Sequence, residues 1–374
     1  MDFSQKGYRT IAVAKSEGDD MNNLKLTGLL PLADPPRPDS KNMVEEARRL
    51  GIKPMMLTGD NIAIAEEIAR QVGIGSKIIR LSDMEVLNED EQMKMVEESD
   101  GFAEIYPEDK YKIVKLLQSK GHMVGMTGDG VNDAPALKQA EMGIAMSNAT
   151  DVAKASASVV LTEPGMSVII NSVTISRQTY QRMLTWVINK VTKVIEFVGL
   201  LTLSFFWLHE IVLSLLGMSL LVFANDFVTM SLATDHVKHT SNPNKWNVKS
   251  ITLASLIPGM LLVVEGLIVI LMGMRYFHLE WEKLRTLVML NLVFNSQFRV
   301  LIVRERRHFW SSRPGRELLV LSAATIIGFA LLGVYGIFAP SLTLYQVLAV
   351  LGFSVLFTLG IDFPKYYLFR KFGL

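Results

Sequence analysis

The chain carries two different hydrophobic patterns, and one gives way to the other near residue 185. Before that point, short apolar runs alternate with charged and polar segments, as they do in strands and amphipathic helices. After it come six apolar stretches of about 20 residues each, the length that crosses a membrane as a helix. These predicted spans are residues 186–207, 211–232, 251–274, 284–303, 318–338 and 344–361. The pattern predicts an α/β domain followed by an all-α, six-helix transmembrane domain.

Within the first half, strands and helices are predicted to alternate, which is typical of a parallel α/β sheet. Predicted strands cover residues 8–14, 24–32, 53–57, 102–105, 121–126, 142–145 and 158–161, and predicted helices cover 39–50, 61–72, 107–118, 134–140 and 149–156. The segment Asp34-Pro-Pro-Arg-Pro38 interrupts this order. Each proline fixes its own φ and pushes its predecessor out of the helical region, so the segment is an extended linker or a hinge.

The loop at residues 126–137 combines chemistry for a metal and a phosphate between a predicted strand and a predicted helix. Asp129 and Asp133 supply carboxylates, Asn132 supplies an amide, and the glycines let backbone N–H groups approach an anion closely. Such oxygen ligands suit Mg²⁺, which takes one or two carboxylates and shares the rest of its shell with water and phosphate. A plain turn explains the glycines or the Asn-Asp pair, but not the whole string.

Two further places lie at the predicted carboxyl edge of the sheet. Thr58-Gly-Asp60 follows the strand at 53–57; taken alone it is a helix cap, but its position makes it a candidate phosphate site. Lys110 lies near the start of the helix at 107–118. A lysine there belongs either to the solvated face of the helix or to the site at the sheet edge.

Composition and charge exclude several functions. The chain has 374 residues, a net charge of +1 and no cysteine. Without a basic stripe and interleaved aromatic residues, nucleic-acid binding is excluded. Without cysteine, the chain has no disulfide, no thiolate nucleophile and no Cys-ligated zinc. The first residues lack the basic and apolar regions of a signal peptide, so we expect the first half to be cytosolic.

Lysine and arginine are concentrated in the loops on one side of the six spans, the side that also carries the first half. Basic loops face the cytosol, and an even number of spans returns the chain to its starting side. We therefore predict a multi-pass protein in lipid, with both termini in the cytosol.

Ionisable residues inside the predicted spans are functional candidates, because a lone charge in lipid is costly. Asp226, preceded by Asn225, lies deep in the second span, where an acid suits taking up a proton on one side and releasing it on the other. Glu196 in the first span could pair with Lys193 or coordinate a cation. Weaker candidates, for which hydrogen bonding between helices is an equal explanation, are Glu265, Asn291, Asn295 and Gln297.

The string at residues 126–137 resembles the hinge-loop signature of P-type ATPases, ion pumps whose phosphorylation domain has the α/β haloacid-dehalogenase-like, Rossmann-like fold. Asn225-Asp226 and the loop at 304–315 resemble the plasma-membrane proton-pumping branch of that family. The resemblance covers nearly the whole chain and implies four parts. These are the tail of a nucleotide-binding domain at 1–33, a phosphorylation domain at 34–164, a stalk helix at 165–185 and a transmembrane domain at 186–374.

The same resemblance implies roles for single residues in the first half. Lys110 would steady a phosphorylated aspartate, Thr58 and Gly59 would donate to the phosphoryl group, and Asp60 would position it. The remaining implied positions are Asn132 and Asp133 for catalysis, Asp129 for Mg²⁺, and Asp34 and Arg37 for ATP.

In the membrane, the resemblance makes Asp226 the proton carrier. The proton-pumping branch often has an arginine counter-ion in the first of these spans, and by local register Glu196 stands at that position here. This departure favours another cation, Mg²⁺, Na⁺ or K⁺, as the alternative cargo, unless Lys193 supplies the positive charge.

P-type pumps phosphorylate the aspartate of an Asp-Lys-Thr-Gly-Thr motif, which this sequence lacks. We therefore expect the carboxyl-terminal part of a plasma-membrane pump that exports protons, inactive as an ATPase until the missing amino-terminal half joins it in cis or in trans. Two alternatives stay open. One is a membrane-anchored phosphatase of the dehalogenase type, which would need a nucleophilic aspartate upstream, and the other is a non-catalytic membrane subunit.

Overall fold

The computed structural model describes residues 3–16, 24–84 and 87–373. Its contacts divide the chain into two units. The first unit is Met1–Thr174 with Ser241–Pro243, and the second is Ile175–Thr240 with Asn244–Leu374. The division falls inside one long helix, close to the change of hydrophobic pattern, and each unit is described by itself below.

The first unit begins with an antiparallel hairpin of strands β1 (Tyr8–Ser16) and β2 (Leu24–Ala33). Both strands lie where the pattern predicted them, and each is somewhat longer. Nearly every side chain of the hairpin is exposed, including Leu26 and Leu30, so no hydrophobic core covers either face in the described part of the chain. Such an apolar surface is unusual for a hairpin in water.

Parallel strands form two separate sheets in the described part of this unit, where a single sheet was expected. The first sheet has the order β3-β5-β4 and the second the order β6-β7-β8. Their bounds are β3 Met56–Leu57, β4 Ile78–Arg80, β5 Gly101–Ala103, β6 Gly125–Gly128, β7 Met142–Ala145 and β8 Val159–Val160. Strands β3 and β6 are therefore edge strands. Thr58-Gly-Asp60 follows β3, and Thr127-Gly-Asp129 lies across the end of β6.

Helix α1 (Ser40–Arg49) precedes these strands. Among the described residues, five α-helices connect them: α2 Ile62–Val72, α3 Glu89–Glu98, α4 Pro107–Ser119, α5 Ala134–Gln139 and α6 Asp151–Ser156. Asn61 caps α2 by accepting a hydrogen bond from the Ala63 N–H, and Pro107 occupies the first turn of α4. Strand β4 and helix α3 were not predicted. The strand at 53–57 was predicted too long, because only two of its residues pair with β5.

The core of the first unit lies between these sheets and their helices. One cluster surrounds Phe102 and includes Val96 and Ile113, and a second holds Met126 and Leu137. Leu57 of β3 packs against both clusters. The two sheets are thus linked by apolar contacts although β3 and β6 do not pair.

The second unit contains helices long and apolar enough to cross a membrane, six of them among the described residues. They are α7 Ser167–Leu208, α8 Leu215–Met230, α9 Val248–Leu271, α10 Trp281–Val303, α11 Arg316–Tyr335 and α12 Leu344–Phe372. Helix α7 starts in the first unit, and α9 continues into a turn of π-helix at Met272–Tyr276. All six predicted spans are present as helices, and the last extends well beyond residue 361.

Helix α10 is the buried centre of this unit. It packs against α8, α9, α11 and α12, and nearly all of its residues are buried. It also has the lowest mean hydropathy of the six helices. A polar helix occupies the centre because its amides and its arginine can find partners on other helices there, whereas lipid offers none.

We predict that Phe102→Ala lowers the free energy of unfolding of the first unit by about 3–5 kcal/mol, because Phe102 is fully buried and its removal leaves a cavity. Hydrogen exchange at the β5 amides measures this. Met123→Ala is the control, since Met123 is 80% exposed. Equal exchange rates in the two variants would contradict the assigned core.

Candidate functional site

An ion pair joins the two segments that sequence analysis placed at the sheet edge. The Lys110 Nζ lies 2.7 Å from the Asp133 Oδ1, and both side chains are largely buried. Lys110 comes from the first turn of α4, directly after β5, and Asp133 comes from the loop after β6. The lysine is therefore part of the site at the sheet edge and not of the solvated face of α4.

Asp133 also shapes the loop that follows β6. Its Oδ2 accepts hydrogen bonds of 3.2 Å from the backbone N–H groups of Asp129 and Gly130. The glycine-rich loop therefore already holds one anion, the carboxylate of its own aspartate. A Cβ on Gly128 would lie 2.5 Å from the Cβ of Asp133, so only glycine allows the loop to close in this way.

Asp129 and Asn132 point away from this internal network. Both residues are exposed, and neither side chain makes a hydrogen bond within the described residues. The Asp129 carboxylate is thus free to bind a cation, and it lies beside the anchored Asp133. One free carboxylate at a strand end fits Mg²⁺, which takes the rest of its shell from water and phosphate.

The loop after β3 is tied to the end of β5. The Thr58 C=O accepts a hydrogen bond from the Ile105 N–H, and the Asp60 C=O accepts one from the Glu104 N–H. The Thr58 hydroxyl donates to the Asp60 Oδ2 at 3.0 Å. Because α4 starts two residues after Ile105, Thr58 is held close to the first turn that carries Lys110.

Asp60 has a partner that sequence analysis did not foresee. Arg9 of β1 forms an ion pair with its carboxylate, on the exposed side of the loop. Asp60 and the residues of the 126–137 loop share no hydrogen bond or ion pair in the part of the chain described here. The charge of Asp60 is therefore paired with Arg9 in this structure.

The predicted nucleotide contacts lie in the linker between β2 and α1. Asp34 and Arg37 are both exposed, and neither side chain reaches the residues around Lys110 in the described structure. Nothing in their surroundings assigns a ligand, so their role stays a prediction.

A charged residue outside the predicted set fixes the start of β6. Glu141, next to β7, accepts hydrogen bonds from the Val124 N–H and from Gln118 of α4, both at 2.8 Å. Desolvation raises the pKa of Glu141, but these hydrogen bonds together bring the pKa below its usual value. The ionised carboxylate therefore helps to hold α4 beside β6.

In the second unit, Asp226 was expected to be buried, but it lies on an exposed face of α8. Its side chain is 56% exposed on α8, and its Oδ1 lies 3.1 Å from the Nζ of Lys190 on α7. Asn225 is buried, but its amide donates to the Leu221 C=O of the same helix. Phe223 and Phe227 are exposed beside Asp226. The position of Asp226 in the sequence did not reveal the face of α8 on which it lies.

Glu196 is the buried acid of α7, and its partner is not Lys193. Arg299 of α10 pairs with the Glu196 carboxylate, and Asn295 donates to its Oε1 at 3.3 Å. Glu196 and Arg299 are each only 2% exposed. Lys193 is half-buried and has no ion-pair partner in the described part of the chain. The positive charge next to Glu196 therefore comes from a different helix.

Arg299 is the residue that sequence analysis missed. It follows Asn291 and Asn295 at intervals of four residues, so the three residues share one face of α10. That spacing was readable from the sequence and marks a polar face within an apolar span. The fully buried Glu265 of α9 extends this face, since its Oε1 accepts a hydrogen bond of 3.0 Å from the Asn291 amide.

Comparison with known proteins agrees with both halves of the structure. Residues 6–141 match the family described as haloacid dehalogenase-like hydrolase. The chain is 38% identical over 323 residues to the protein named "Putative cation-transporting ATPase" of Methanocaldococcus jannaschii, covering 85% of the chain and 40% of that protein. It is 33% identical over 350 residues to the "Probable plasma membrane ATPase" of Dictyostelium discoideum, covering 89% of the chain and 32% of that protein.

A third relative is the "Plasma membrane ATPase" of Dunaliella bioculata, 38% identical over 281 residues, or 71% of the chain and 24% of that protein. The chain thus spans less than half the length of each of these relatives. The first half has the haloacid-dehalogenase-like fold and is followed by six candidate transmembrane helices. The predicted fold class and multi-pass membrane character are confirmed.

We predict that Gly128→Ala breaks the hydrogen bonds of the 126–137 loop, because the added Cβ would overlap Asp133. The expected loss of stability is about 1–3 kcal/mol. Faster hydrogen exchange at the Asp129 and Gly130 amides measures it. Gly125→Ala is the matched control on the same strand, since a Cβ added there would lie 3.9 Å from its nearest neighbour, the Met142 carbonyl oxygen. Similar exchange in both variants would contradict the anchoring role of Asp133.

We predict that Arg299→Met destabilises the second unit by about 3–5 kcal/mol, because it leaves the Glu196 charge buried without a partner. The double variant Glu196→Gln with Arg299→Met removes both charges and should recover most of that loss. Thermal unfolding in detergent, monitored by tryptophan fluorescence, measures this loss of stability and its recovery. All five tryptophans lie in the second unit, so their fluorescence reports on its unfolding. Additive effects of the two substitutions would show that the pair is not coupled.

Proposed function

This chain belongs to the P-type ATPase family, and from that membership we propose that it is the carboxyl-terminal portion of an ATP-driven cation pump. The observation that carries the proposal is the ion pair between Lys110 and Asp133. It sets one buried ammonium group at the carboxyl edge of the strands, beside the free carboxylate of Asp129. A positive charge fixed next to a free metal ligand suits phosphoryl transfer, which is chiefly positioning and charge stabilisation.

Each residue around Lys110 then has a defined task. The ammonium of Lys110 neutralises charge on the phosphorylated aspartate, and Asp133 holds that ammonium in place. Thr58 and Gly59 donate hydrogen bonds to the phosphoryl oxygens. Asn132, which is exposed on the loop after β6, is a further catalytic residue of the proposal. Asp129 is the residue of this chain that would hold Mg²⁺, and the bound ion would offset the charge of the transferred phosphoryl group.

The acceptor of the phosphoryl group must come from a segment outside these residues. Strands β3 and β6 are both edges, and the chain runs from each into a Thr-Gly-Asp turn. Leu57 of β3 packs on the cluster that contains Met126 of β6. We propose that a parallel strand supplied by the amino-terminal half lies between them. Its carboxyl end would then present an aspartate to Lys110, because parallel strands end at one edge of the sheet.

For the cargo, we propose a proton carried by Asp226. Two of the relatives are named plasma membrane ATPases, and the Asn225-Asp226 sequence matches the proton-pumping branch. Lys190 serves as the counter-ion, since its Nζ lies 3.1 Å from Asp226. The exposed face around Asp226 would be covered by helices of the missing half. Another cation, Mg²⁺, Na⁺ or K⁺, is the alternative cargo, and a catalytically incomplete membrane subunit is the alternative function.

We further propose a plasma-membrane location with the first half and both termini in the cytosol. The basic residues of the loops between α8 and α9 and between α10 and α11 support this orientation. ATP would reach the site from that side, with Asp34 and Arg37 of the linker as its proposed contacts.

The test is formation of an acid-stable phosphoenzyme from radiolabelled ATP. We expect none from the 374-residue chain alone and a labelled enzyme after co-expression with an amino-terminal half that carries Asp-Lys-Thr-Gly-Thr. In that complex, Lys110→Met should slow phosphorylation about 10²–10³-fold, the usual cost of removing one charge-stabilising group.

Lys112→Met is the matched control, because Lys112 lies on the same helix but has an exposed side chain and pairs with Asp109 instead of Asp133. It should leave the rate of phosphorylation unchanged. Equal loss in both variants, or labelling of the chain alone, would refute the proposed division of the active site.

A further inference from the structure

The face that α10 shares with α9 and α12 contains a second polar site, separate from Asp226. Asn291 donates from its Nδ2 to the Glu265 Oε1 and to the Ser354 Oγ, each at 3.0 Å. Asn295 lies one helical turn further along the same face and donates to Glu196. Glu265, Asn291, Asn295 and Ser354 are all fully buried. Three helices thus converge on one carboxylate midway along α10.

The amide N–H donors of this site are paired, but three of its oxygen acceptors are not. The Oε2 of Glu265, the Oδ1 of Asn291 and the Oδ1 of Asn295 are buried and have no hydrogen-bond partner among the residues that the structure describes. An unpaired buried acceptor costs about 1–3 kcal/mol. Hydrogen bonding between helices explains the amide N–H groups, but it does not explain three unpaired oxygens on one face.

The charge of the site is also unbalanced. Glu196 is neutralised by Arg299, whereas Glu265 has no ion-pair partner in the described part of the chain. Neither Lys193 nor Lys365 is a partner of Glu265. Lys193 of α7 is half-buried and forms no ion pair within the described residues, and Lys365 of α12 forms its ion pair with Asp362. An ionised Glu265 would therefore have no ion-pair partner in a region of low dielectric, where an uncompensated charge is costly.

We propose that Glu265, Asn291 and Asn295 form a binding site for one monovalent cation, either a proton or an alkali ion. One positive charge balances the charge of an ionised Glu265, and the three unpaired oxygens are the atoms that bind the cation. A proton on Oε2 would be donated to an amide oxygen, while Na⁺ or K⁺ would be coordinated by carboxylate and amide oxygens together. A divalent ion would leave a net positive charge and is not expected.

This site does not depend on ATP, so its test is separate from that of the proposed pump. The 374-residue chain is purified in detergent with choline chloride at neutral pH. If the ligand is a proton, infrared spectroscopy shows the C=O band of a protonated carboxyl group, and Glu265→Gln removes that band. If it is an alkali ion, NaCl or KCl raises the melting temperature saturably at constant ionic strength, and Glu265→Gln abolishes the rise.

Glu282→Gln is the matched control, because Glu282 is an exposed carboxylate at the start of α10. It should leave both readouts unchanged. Asn291→Ala and Asn295→Ala should each weaken alkali-ion binding about tenfold, as expected for the loss of one oxygen ligand. Glu265→Gln keeps the side-chain shape, and gel filtration of the variant tests whether it folds.

Wild-type protein with neither the carboxyl band nor saturable stabilisation by Na⁺ or K⁺ would overturn the proposal. So would stabilisation by MgCl₂ alone, since it would assign a divalent ion.

Discussion

The second unit depends on the partners that neighbouring helices supply to Arg299 and to the amide N–H groups of Asn291 and Asn295 on α10. Helix α10 carries an arginine and several amides, which lipid cannot solvate. The ion pair between Arg299 and Glu196 joins α10 to α7, and the hydrogen bonds of Asn291 join it to α9 and α12. These pairings fix which face of each neighbouring helix turns inward, and the apolar residues then pack around them. The least apolar helix is for this reason the most buried one.

A similar constraint organises the first unit, although water is present there. A glycine-rich loop exposes backbone N–H groups that attract an anion, and here Asp133 supplies that anion internally. Its second oxygen binds Lys110, so one carboxylate fixes both the loop after β6 and the lysine of α4. The site is thus preorganised by its own residues, and Asp129 is left free for an external ligand.

Sequence reasoning succeeded where the signal is local. The spans, the alternating strands and helices and the loop at 126–137 could be predicted because each depends on a short stretch of residues. It failed where a partner is distant in sequence: Asp60 pairs with Arg9 across 51 positions, and Arg299 pairs with Glu196 across 103. Strand β4 was missed because three residues carry no periodicity. The exposure of Asp226 depends on which helices surround α8, and no pattern within α8 contains that information.

The features that look incomplete share one explanation. In the first unit, β3 and β6 are unpaired edges, and the β1-β2 hairpin exposes apolar side chains on both faces. In the second unit, α8 exposes a charged residue between two phenylalanines. Unpaired strand edges invite another strand, and a carboxylate at membrane depth needs protein or water around it. The chain matches less than half of each longer relative, and the proposed amino-terminal half would supply both the strand and the helices. The buried site at Glu265 differs in this respect, since α9, α10 and α12 already enclose it, and its remaining need is for a positive charge.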